Sequence, residues 1–308
     1  MLTTLKEVQF LLRDPISKSD INIKWDNKKI KSVSSKENNF KISNNLPILI
    51  NFKKSIVDES FYNNLNLDKS LIDDRSQLKK KIKNFLTRSN LNSKKSINIF
   101  KKNLNKNSKI LVIGGGNIGT GLQELYQDIS LDLISTDIYP SNKINFISDC
   151  HNIPVKNESV DGVIIQAVLE HVINPNKVIS EVYRVLKKDG IILAETPFMQ
   201  SSHEEPYDFH RYTELGHRWL FKSFKEIYRS TNGGPGLSLY WSISSFIYAL
   251  INNKIISQIF SLPFLLFAYL DFLIPERRKI KSANGFVFIG KKASYEIKVN
   301  EITKHFIG

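Results

Sequence analysis

The run Leu111-Val112-Ile113-Gly114-Gly115-Gly116-Asn117-Ile118-Gly119-Thr120-Gly121 is an apolar stretch that breaks into a cluster of glycines. Glycine at such a break lets the backbone turn sharply and lets a ligand come within van der Waals range. A helix that opens after it presents unbonded N–H groups to a polar or anionic ligand group. Gly114, Gly116 and Gly119 satisfy G-x-G-x-x-G, and Asp137 lies 23 residues beyond Gly114 at the end of the next apolar run. That spacing sets a carboxylate against the ribose hydroxyls of a nucleotide cofactor, and by itself it fits NAD and S-adenosylmethionine alike.

The same rhythm continues on both sides of the loop. Apolar runs at 110–113, 131–135, 144–147, 163–165 and 191–194 alternate with amphipathic stretches, the pattern of a parallel sheet built from βαβ units. The chain has 308 residues, 41% hydrophobic and 24% charged, which is ordinary globular composition and excludes a largely disordered protein. Cys150 is the lone cysteine, so neither a disulfide framework nor a cysteine-rich zinc site is expected, and no metal site is. Met1 to Phe10 carries Lys6 and Glu7 and has no long apolar core, so no signal peptide is read there and a cytoplasmic location is expected.

The net charge of +14 sits at one end: +13 over residues 1–108 and +1 over the remaining 200. Such a face attracts phosphates or anionic head groups. Few aromatics interleave the lysines, however, and Lys and Asn are abundant throughout, so solvated lysines explain most of it. Composition divides the chain into a small β module at 1–53, a basic helical linker at 54–108 with helical spacing at Leu71, Leu78, Ile82, Phe85 and Leu86, a sheet-and-helix domain at 109–295, and a tail at 296–308. Within the large domain, 237–275 is an apolar helical insertion: Leu237 to Ile251 and Ile255 to Leu270 carry no charge, and Pro263 interrupts the second. Each segment is shorter than the roughly 20 residues of a spanning helix, so buried or interfacial helices are expected.

The residues beyond the glycine loop separate the two cofactors. Ser148-Asp149-Cys150-His151-Asn152-Ile153-Pro154 is followed by the strand Ser159 to Gln166, then Ala167-Val168-Leu169-Glu170-His171-Val172 and a helix from Pro175 to Leu186. This order resembles the Rossmann-like (class I) S-adenosylmethionine-dependent methyltransferases, type 11-like subgroup, over roughly 109–232. The resemblance implies an α/β fold: a mostly parallel seven-stranded sheet with helices on both faces, plus the N-terminal module and the apolar insertion between the last two strands. It implies S-adenosylmethionine as cofactor, with Gly114, Gly115 and Gly116 at the methionine moiety, Asp137 and Ile138 at the ribose, Asp149 and Cys150 at the adenine and Gln166 beside the sulfonium. Many relatives have an acidic residue two positions before the first glycine; this chain has Val112.

Beyond the fifth strand, Thr196 to Thr213 contains His203, Glu204, Glu205, Tyr207, Asp208, His210, Arg211 and Tyr212, and should overhang the methyl group, because ligands in open parallel sheets lie past the carboxyl ends of the strands. Tyr207 to Thr213, with Gly216-His217-Arg218-Trp219-Leu220-Phe221, resembles methyltransferases found among bacterial surface-polysaccharide genes. A hydroxyl nucleophile needs its proton removed, which makes His203, Asp208 and His210 the candidate catalytic residues. Glu170, His171, Tyr207, Arg211 and Tyr212 are the candidate acceptor contacts; the competing reading makes Asp208 and Arg211 a structural ion pair. Residues 11–18, 32–40 and 45–50 resemble the zinc-ribbon module that partners some methyltransferases, with Asp14, Ser17, Ser35 and Asn38 standing where cysteines are expected. The expected function is O-methylation of a saccharide or lipid-linked glycan, with peripheral membrane contact through 237–275 on the inner membrane face and a homodimer as further expectations. The alternatives are an RNA methyltransferase, which the N-terminal charge favours, and a non-catalytic S-adenosylmethionine-binding or assembly protein; a dehydrogenase ranks last.

Overall fold

The structure is a computed structural model that describes residues 2–63 and 89–308. Most of the basic linker, including the lysines at 79–83 and the apolar positions from Leu71 to Leu86, lies outside the described residues. The N-terminal module holds β1 (Asn22–Asp26), β2 (Lys29–Ser34) and β3 (Asn39–Phe40) in one antiparallel sheet, and β4 (Ile42–Ser43) with β5 (Leu46–Pro47) in a hairpin. Asn27, in the left-handed region at φ 54°, makes the turn between β1 and β2 that the Asp26-Asn27 pair predicts.

The large sheet contains β6 (Lys109–Ile113), β7 (Asp132–Asp137), β8 (Phe146–Ile147), β9 (Val160–Gln166), β10 (Leu186–Pro197), β11 (Phe224–Thr231) and β12 (Gly285–Lys292). Its order is β11-β12-β10-β9-β6-β7-β8, and β12 pairs antiparallel with both neighbours while the pairings from β10 to β8 are parallel. This is the Rossmann-like methyltransferase fold. Both faces are covered, so alternate residues of one strand enter different cores. Leu111 and Ile113 pack on the side of the N-terminal module, whereas Ile110 and Val112 pack against α1 (Ser89–Lys102) and α2 (Gln123–Gln127) through Ile97, Phe100 and Leu125. On the first side, α3 (Pro175–Val185) buries Val178, Ile179, Val182 and Val185, one helical stripe. Asn174 caps its start by accepting from Lys177 N, and Pro175 takes the first-turn position where no donor is needed.

Strand β11 is not legible as an apolar run, because Phe224-Lys225-Glu226-Ile227-Tyr228-Arg229-Ser230-Thr231 mixes charge into an edge strand and only its two ends are buried. His217 of the short helix α4 (Glu214–Leu220) packs among Phe221, Phe286 and Phe288 in the core. Burial pushes its pKa down to about 3, so it is a neutral aromatic filler far from any acceptor role.

The N-terminal module shares the domain's core. Leu12, Ile23, Val33 and Leu49 belong to the same buried cluster as Phe146, Ile153 and Val155. Leu12 bridges Val155, Ile48 bridges Ile147 beyond the sheet's β8 edge, and Leu49 N donates to Ile147 O at 2.8 Å. Asp14 is wholly buried; its carboxylate accepts from Ser17 Oγ at 2.8 Å, Ser35 Oγ at 2.6 Å and Asn38 Nδ2 at 2.7 Å, so the four positions expected to be cysteines meet at one carboxylate.

The insertion runs between β11 and β12 as α5 (Pro235–Ile251), α6 (Lys254–Ser261) and α7 (Leu265–Leu270). Single 3-10 turns join and end the last two helices, so Pro263 does not separate them and Lys254–Leu273 is one helical path of 20 residues with mean hydropathy 1.7. By length and composition it could cross a membrane, contrary to the two short segments expected. It packs on α5 instead, burying Leu265 and Ala268 against Leu237 and Tyr240. Asp271 at its end caps α5, accepting from Gly234 N at 3.0 Å, Gly236 N at 2.8 Å and Leu237 N at 3.0 Å.

Candidate active site

Strands β6 and β9 are neighbours in the sheet but their following connections leave toward opposite edges, which opens a crevice at their carboxyl ends. A cavity of about 820 Å³ fills it. Gly114 adopts φ 76°, and a Cβ there would meet Val168 Cγ2 at 2.2 Å. At Gly116 a Cβ would stand 2.7 Å from Asp137 Oδ2, the oxygen to which the Gly116 N–H donates at 2.8 Å. The glycines therefore hold the loop flat against the end of β7 and leave the cavity open. Tyr139 N donates to the other carboxylate oxygen at 3.0 Å, which aims Asp137 along the cavity wall. Burial pushes its pKa up, and the N–H donors oppose that.

Ile138, next along the wall, accepts at its carbonyl from Tyr62 OH at 2.8 Å, so the segment following the N-terminal module closes this end with Ile56 and Phe61. Asp149 and Cys150 also line the cavity. Asp149 caps the 3-10 turn Cys150–Asn152 and accepts from His151 Nδ1 at 2.7 Å and Ser55 Oγ at 2.6 Å. Burial pushes this carboxyl up, but the donors outweigh burial and hold it below the ordinary carboxylate range. Burial pushes the Cys150 thiol pKa up.

Gln166, at the end of β9, donates to Glu195 Oε2 at 2.8 Å and to Thr120 O at 3.3 Å, leaving its Oε1 buried without a partner. Glu195, at the end of β10, is a cavity residue that no sequence motif marks. Asn232 Nδ2 also donates to its Oε2 at 3.0 Å, while Oε1 has no partner. A buried carboxylate and an amide oxygen with open acceptor capacity suit the cationic sulfonium and ammonium of S-adenosylmethionine, and they stand near the place where Val112 leaves no acid.

Burial raises the Glu195 pKa from 4.5 to about 7. The folded state therefore holds a proton that the unfolded chain releases first, so this group's contribution to stability is full below about pH 4.5 and is lost as pH rises through 7. Glu195→Gln should remove that loss: relative to the parent, the ligand-free variant gains on the order of 3 kcal/mol between pH 4 and pH 8. Denaturant melts at the two pH values check this, and a pH-independent difference would show that the carboxyl pKa does not change on folding.

The cavity is also walled by His171, Glu204, Glu205 and Tyr207. Glu170 is buried beneath them at 1% exposure, and burial raises its pKa to about 8. His171 and His203 meet edge to face with ring centres 5.1 Å apart. His203 thus joins Glu170 and His171, although it does not itself line the cavity.

The remaining catalytic candidates fall elsewhere. Asp208 is bound by Arg211, with Nη2 2.7 Å from Oδ2, and by His203 N at 2.8 Å. The guanidinium holds its pKa down to about 2, so Asp208 has little basicity left for proton abstraction. With His210, whose Nε2 lies 3.3 Å from Ile173 O, it faces a separate small hollow of 200 Å³. Asp208 and Arg211 are the ion pair that shapes the loop, and His210 and Tyr212 are likewise absent from the lining of the main cavity. Charge-rich loop sequence could not separate the inward side chains from the pair that fastens the loop.

Residues 113–194 match a family model described as a methyltransferase domain. A search of curated proteins gives no match. Among solved structures the chain is similar to a protein described as a sarcosine dimethylglycine methyltransferase from Galdieria sulphuraria, at 15% identity and TM-score 0.44, over 67% of this chain and 86% of that one. It is similar to the [4+2]-cyclase SpnF at 11% identity and TM-score 0.44, over 65% and 80%. The Haemonchus contortus phosphoethanolamine N-methyltransferase 2, in complex with S-adenosylmethionine, aligns at 15% identity and TM-score 0.41, over 65% of this chain and 52% of that one. The family match covers the strands and loops that build the cofactor end of the cavity, so residues 113–194 are similar to a methyltransferase domain, and the glycine cradle, Asp137 and the open acceptors of Gln166 and Glu195 fit S-adenosylmethionine as the cofactor.

Proposed function

We propose that the protein transfers a methyl group to a hydroxyl of a saccharide carried on a lipid, working from the cytoplasm at a membrane surface. One observation carries this reading: the apolar helical layer begins at the cavity wall. Asn232 lines the cavity and bonds Glu195, and α5 starts three residues later at Pro235. From there Leu239, Phe246, Leu250, Ile255, Ile259, Phe260, Leu266 and Leu273 all stand 43% exposed or more. Apolar surface of this extent marks a contact with membrane or partner, and exposed Lys254, Arg277, Arg278 and Lys281 flank it with the charge that attracts anionic head groups. Because Asp271 and the Leu265–Ala268 face tie the helical path to α5, the layer lies on a bilayer rather than crossing it.

S-adenosylmethionine, when bound, supplies an electrophilic methyl: its C–S bond breaks, the acceptor O–C bond forms, and the hydroxyl proton leaves. The chain's own part is placement and exclusion of water. The loop from Phe198 to Tyr212 covers the acceptor end, fixed by the Asp208–Arg211 pair and by a 2.5 Å bond between Ser201 and Ser245 hydroxyls. The ribbon-like module is read as a built-in, metal-free docking element that supports the wall formed by residues 55–62.

The test uses radiolabelled S-adenosylmethionine with a membrane lipid extract, nucleotide sugars and RNA supplied separately. Base-stable label in the lipid extract alone is expected; label in RNA alone would favour the reading built on the basic N-terminal region. Vesicle sedimentation gives the second prediction. The protein should sediment with phosphatidylglycerol-containing vesicles, and combining Phe246→Asp, Phe260→Asp and Leu266→Asp should lower the bound fraction at least tenfold with cofactor binding intact. Unchanged sedimentation would remove the membrane from the reading.

A further inference from the structure

Glu170, His171 and His203 form the strongest cluster that the proposed methyl transfer leaves unexplained. His171 Nδ1 lies 2.6 Å from the carbonyl oxygen of Tyr207. A carbonyl only accepts, so Nδ1 carries a proton, and in the neutral ring Nε2 carries the lone pair. His203 reaches the same state by a different route. Its Nδ1 lies 3.2 Å from Ser201 O and 3.3 Å from Arg211 Nη2. The two protons on that Arg211 nitrogen are taken by Ser201 O at 3.1 Å and Asp208 Oδ2 at 2.7 Å. Nδ1 of His203 therefore donates to Ser201 O, and its Nε2 is also a lone pair.

Both Nε2 atoms turn toward one oxygen. Glu170 Oε1 is 3.8 Å from that of His171 and 4.0 Å from that of His203, while Glu204 Oε2 lies 3.8 Å from His171 Nε2 on the cavity side. The second oxygen of Glu170 is buried and has no hydrogen-bond partner. Both imidazole Nε2 atoms and the carboxylate oxygens thus converge on one point at separations of 3.8–4.0 Å, too long for a hydrogen bond between any pair of them. Ligand atoms about 2.1 Å from a tetrahedral metal stand about 3.4 Å apart, so the gap closes onto a cation with slight side-chain movement. Anchoring each imidazole through its other nitrogen is how proteins orient metal-binding histidines.

We propose that Glu170, His171 and His203, with Glu204 from the cavity side, bind a divalent cation of the zinc–manganese–iron class. Two imidazoles with carboxylates suit that class better than calcium or magnesium. The cluster Asp149-Cys150-His151 offers a contrast: His151 gives Nδ1 to Asp149 and accepts at Nε2 from Asn174 N at 3.2 Å, so both its ring nitrogens are spent. In the Glu170 cluster, His171 and Glu204 line the cavity, so a cation there presents its open positions to the acceptor. Two neighbouring hydroxyls, a vicinal diol, would chelate it; that further step rests on the saccharide reading, whereas the binding site does not.

The experiment treats the full chain with EDTA, removes the chelator, and titrates Co²⁺ while following its visible absorption, with Mn²⁺ paramagnetic resonance as a second probe. One Co²⁺ per chain is expected, with a tetrahedral or five-coordinate imidazole spectrum. Glu170→Gln and His203→Ala should each weaken binding at least tenfold, while the S-adenosylhomocysteine affinity, read by calorimetry, stays within about twofold and reports an intact fold. Glu170→Gln is isosteric and keeps the test open where His203→Ala is unstable. Absence of saturable binding, or binding equal in both variants and the wild type, overturns the site, and neither result bears on whether methyl transfer occurs.

Discussion

Asp137→Ala lowers the affinity for S-adenosylhomocysteine roughly 100-fold, the loss of about 3 kcal/mol expected when a carboxylate that accepts charge-assisted hydrogen bonds from a ribose diol is removed. The wild-type carboxylate already accepts from Gly116 N and Tyr139 N. Its removal therefore also frees the glycine loop that lies over it, and the two losses reinforce each other. Asp137→Asn separates them in part: the amide oxygen still accepts from Gly116 N, so the glycine loop keeps its anchor, while the NH2 group cannot accept from Tyr139 N, and the affinity falls by the missing charge and that lost acceptor. Calorimetry with both variants, and with NADH as the competing ligand, reads the result directly. Equal affinities in the wild type and Asp137→Ala would move the cofactor away from this wall altogether.

Asp14→Ala has the largest expected effect on stability. The Asp14 carboxylate accepts from Ile16 N at 2.6 Å and Ser17 N at 3.2 Å in addition to the side chains of Ser17, Ser35 and Asn38. Alanine would leave these donors unpaired beside a small void, at a cost of about 3 kcal/mol or more. Because Leu11, Leu12 and Val33 around this knot belong to the core that contains Phe146 and Val155, the damage should spread to the far edge of the sheet. The expected result is a lower denaturation midpoint together with weakened cofactor binding, since Ser55, which bonds Asp149, follows directly from the module. A shifted midpoint with unchanged cofactor affinity would mean that the module is an independent passenger.

Asp137 and Asp14 differ in how far their roles are legible in the amino-acid order. The glycine loop, Asp137 and the alternation of apolar runs are legible because their causes are local. Chain reversal at Gly114 needs a left-handed residue, and a strand buried on both faces must be apolar along its length. That Asp14, Ser17, Ser35 and Asn38 bond one another was not legible, because the segments that carry them lie as much as 24 residues apart. Glu195 was illegible for a related reason, since a glutamate ending a strand looks like any exposed acid until Gln166 and Asn232 close around it. For Asp208 the amino-acid order left a base and a structural ion pair with Arg211 both open, and the structure shows Arg211 bonded to both of its oxygens.

The sequence by itself determined the sheet, the cofactor loop and the presence of an uncharged helical layer, since strand alternation, glycine freedom and hydropathy each act over a few neighbouring residues. Only the tertiary structure decided which charged side chains face the cavity, which fasten the loop, and that Glu170, His171 and His203 turn their lone pairs to a common point. Those outcomes depend on where the loop after β10 folds back over the end of β9. Hydrogen bonds between segments more than 30 residues apart set that path, as between Phe209 N and Glu170 O at 2.8 Å.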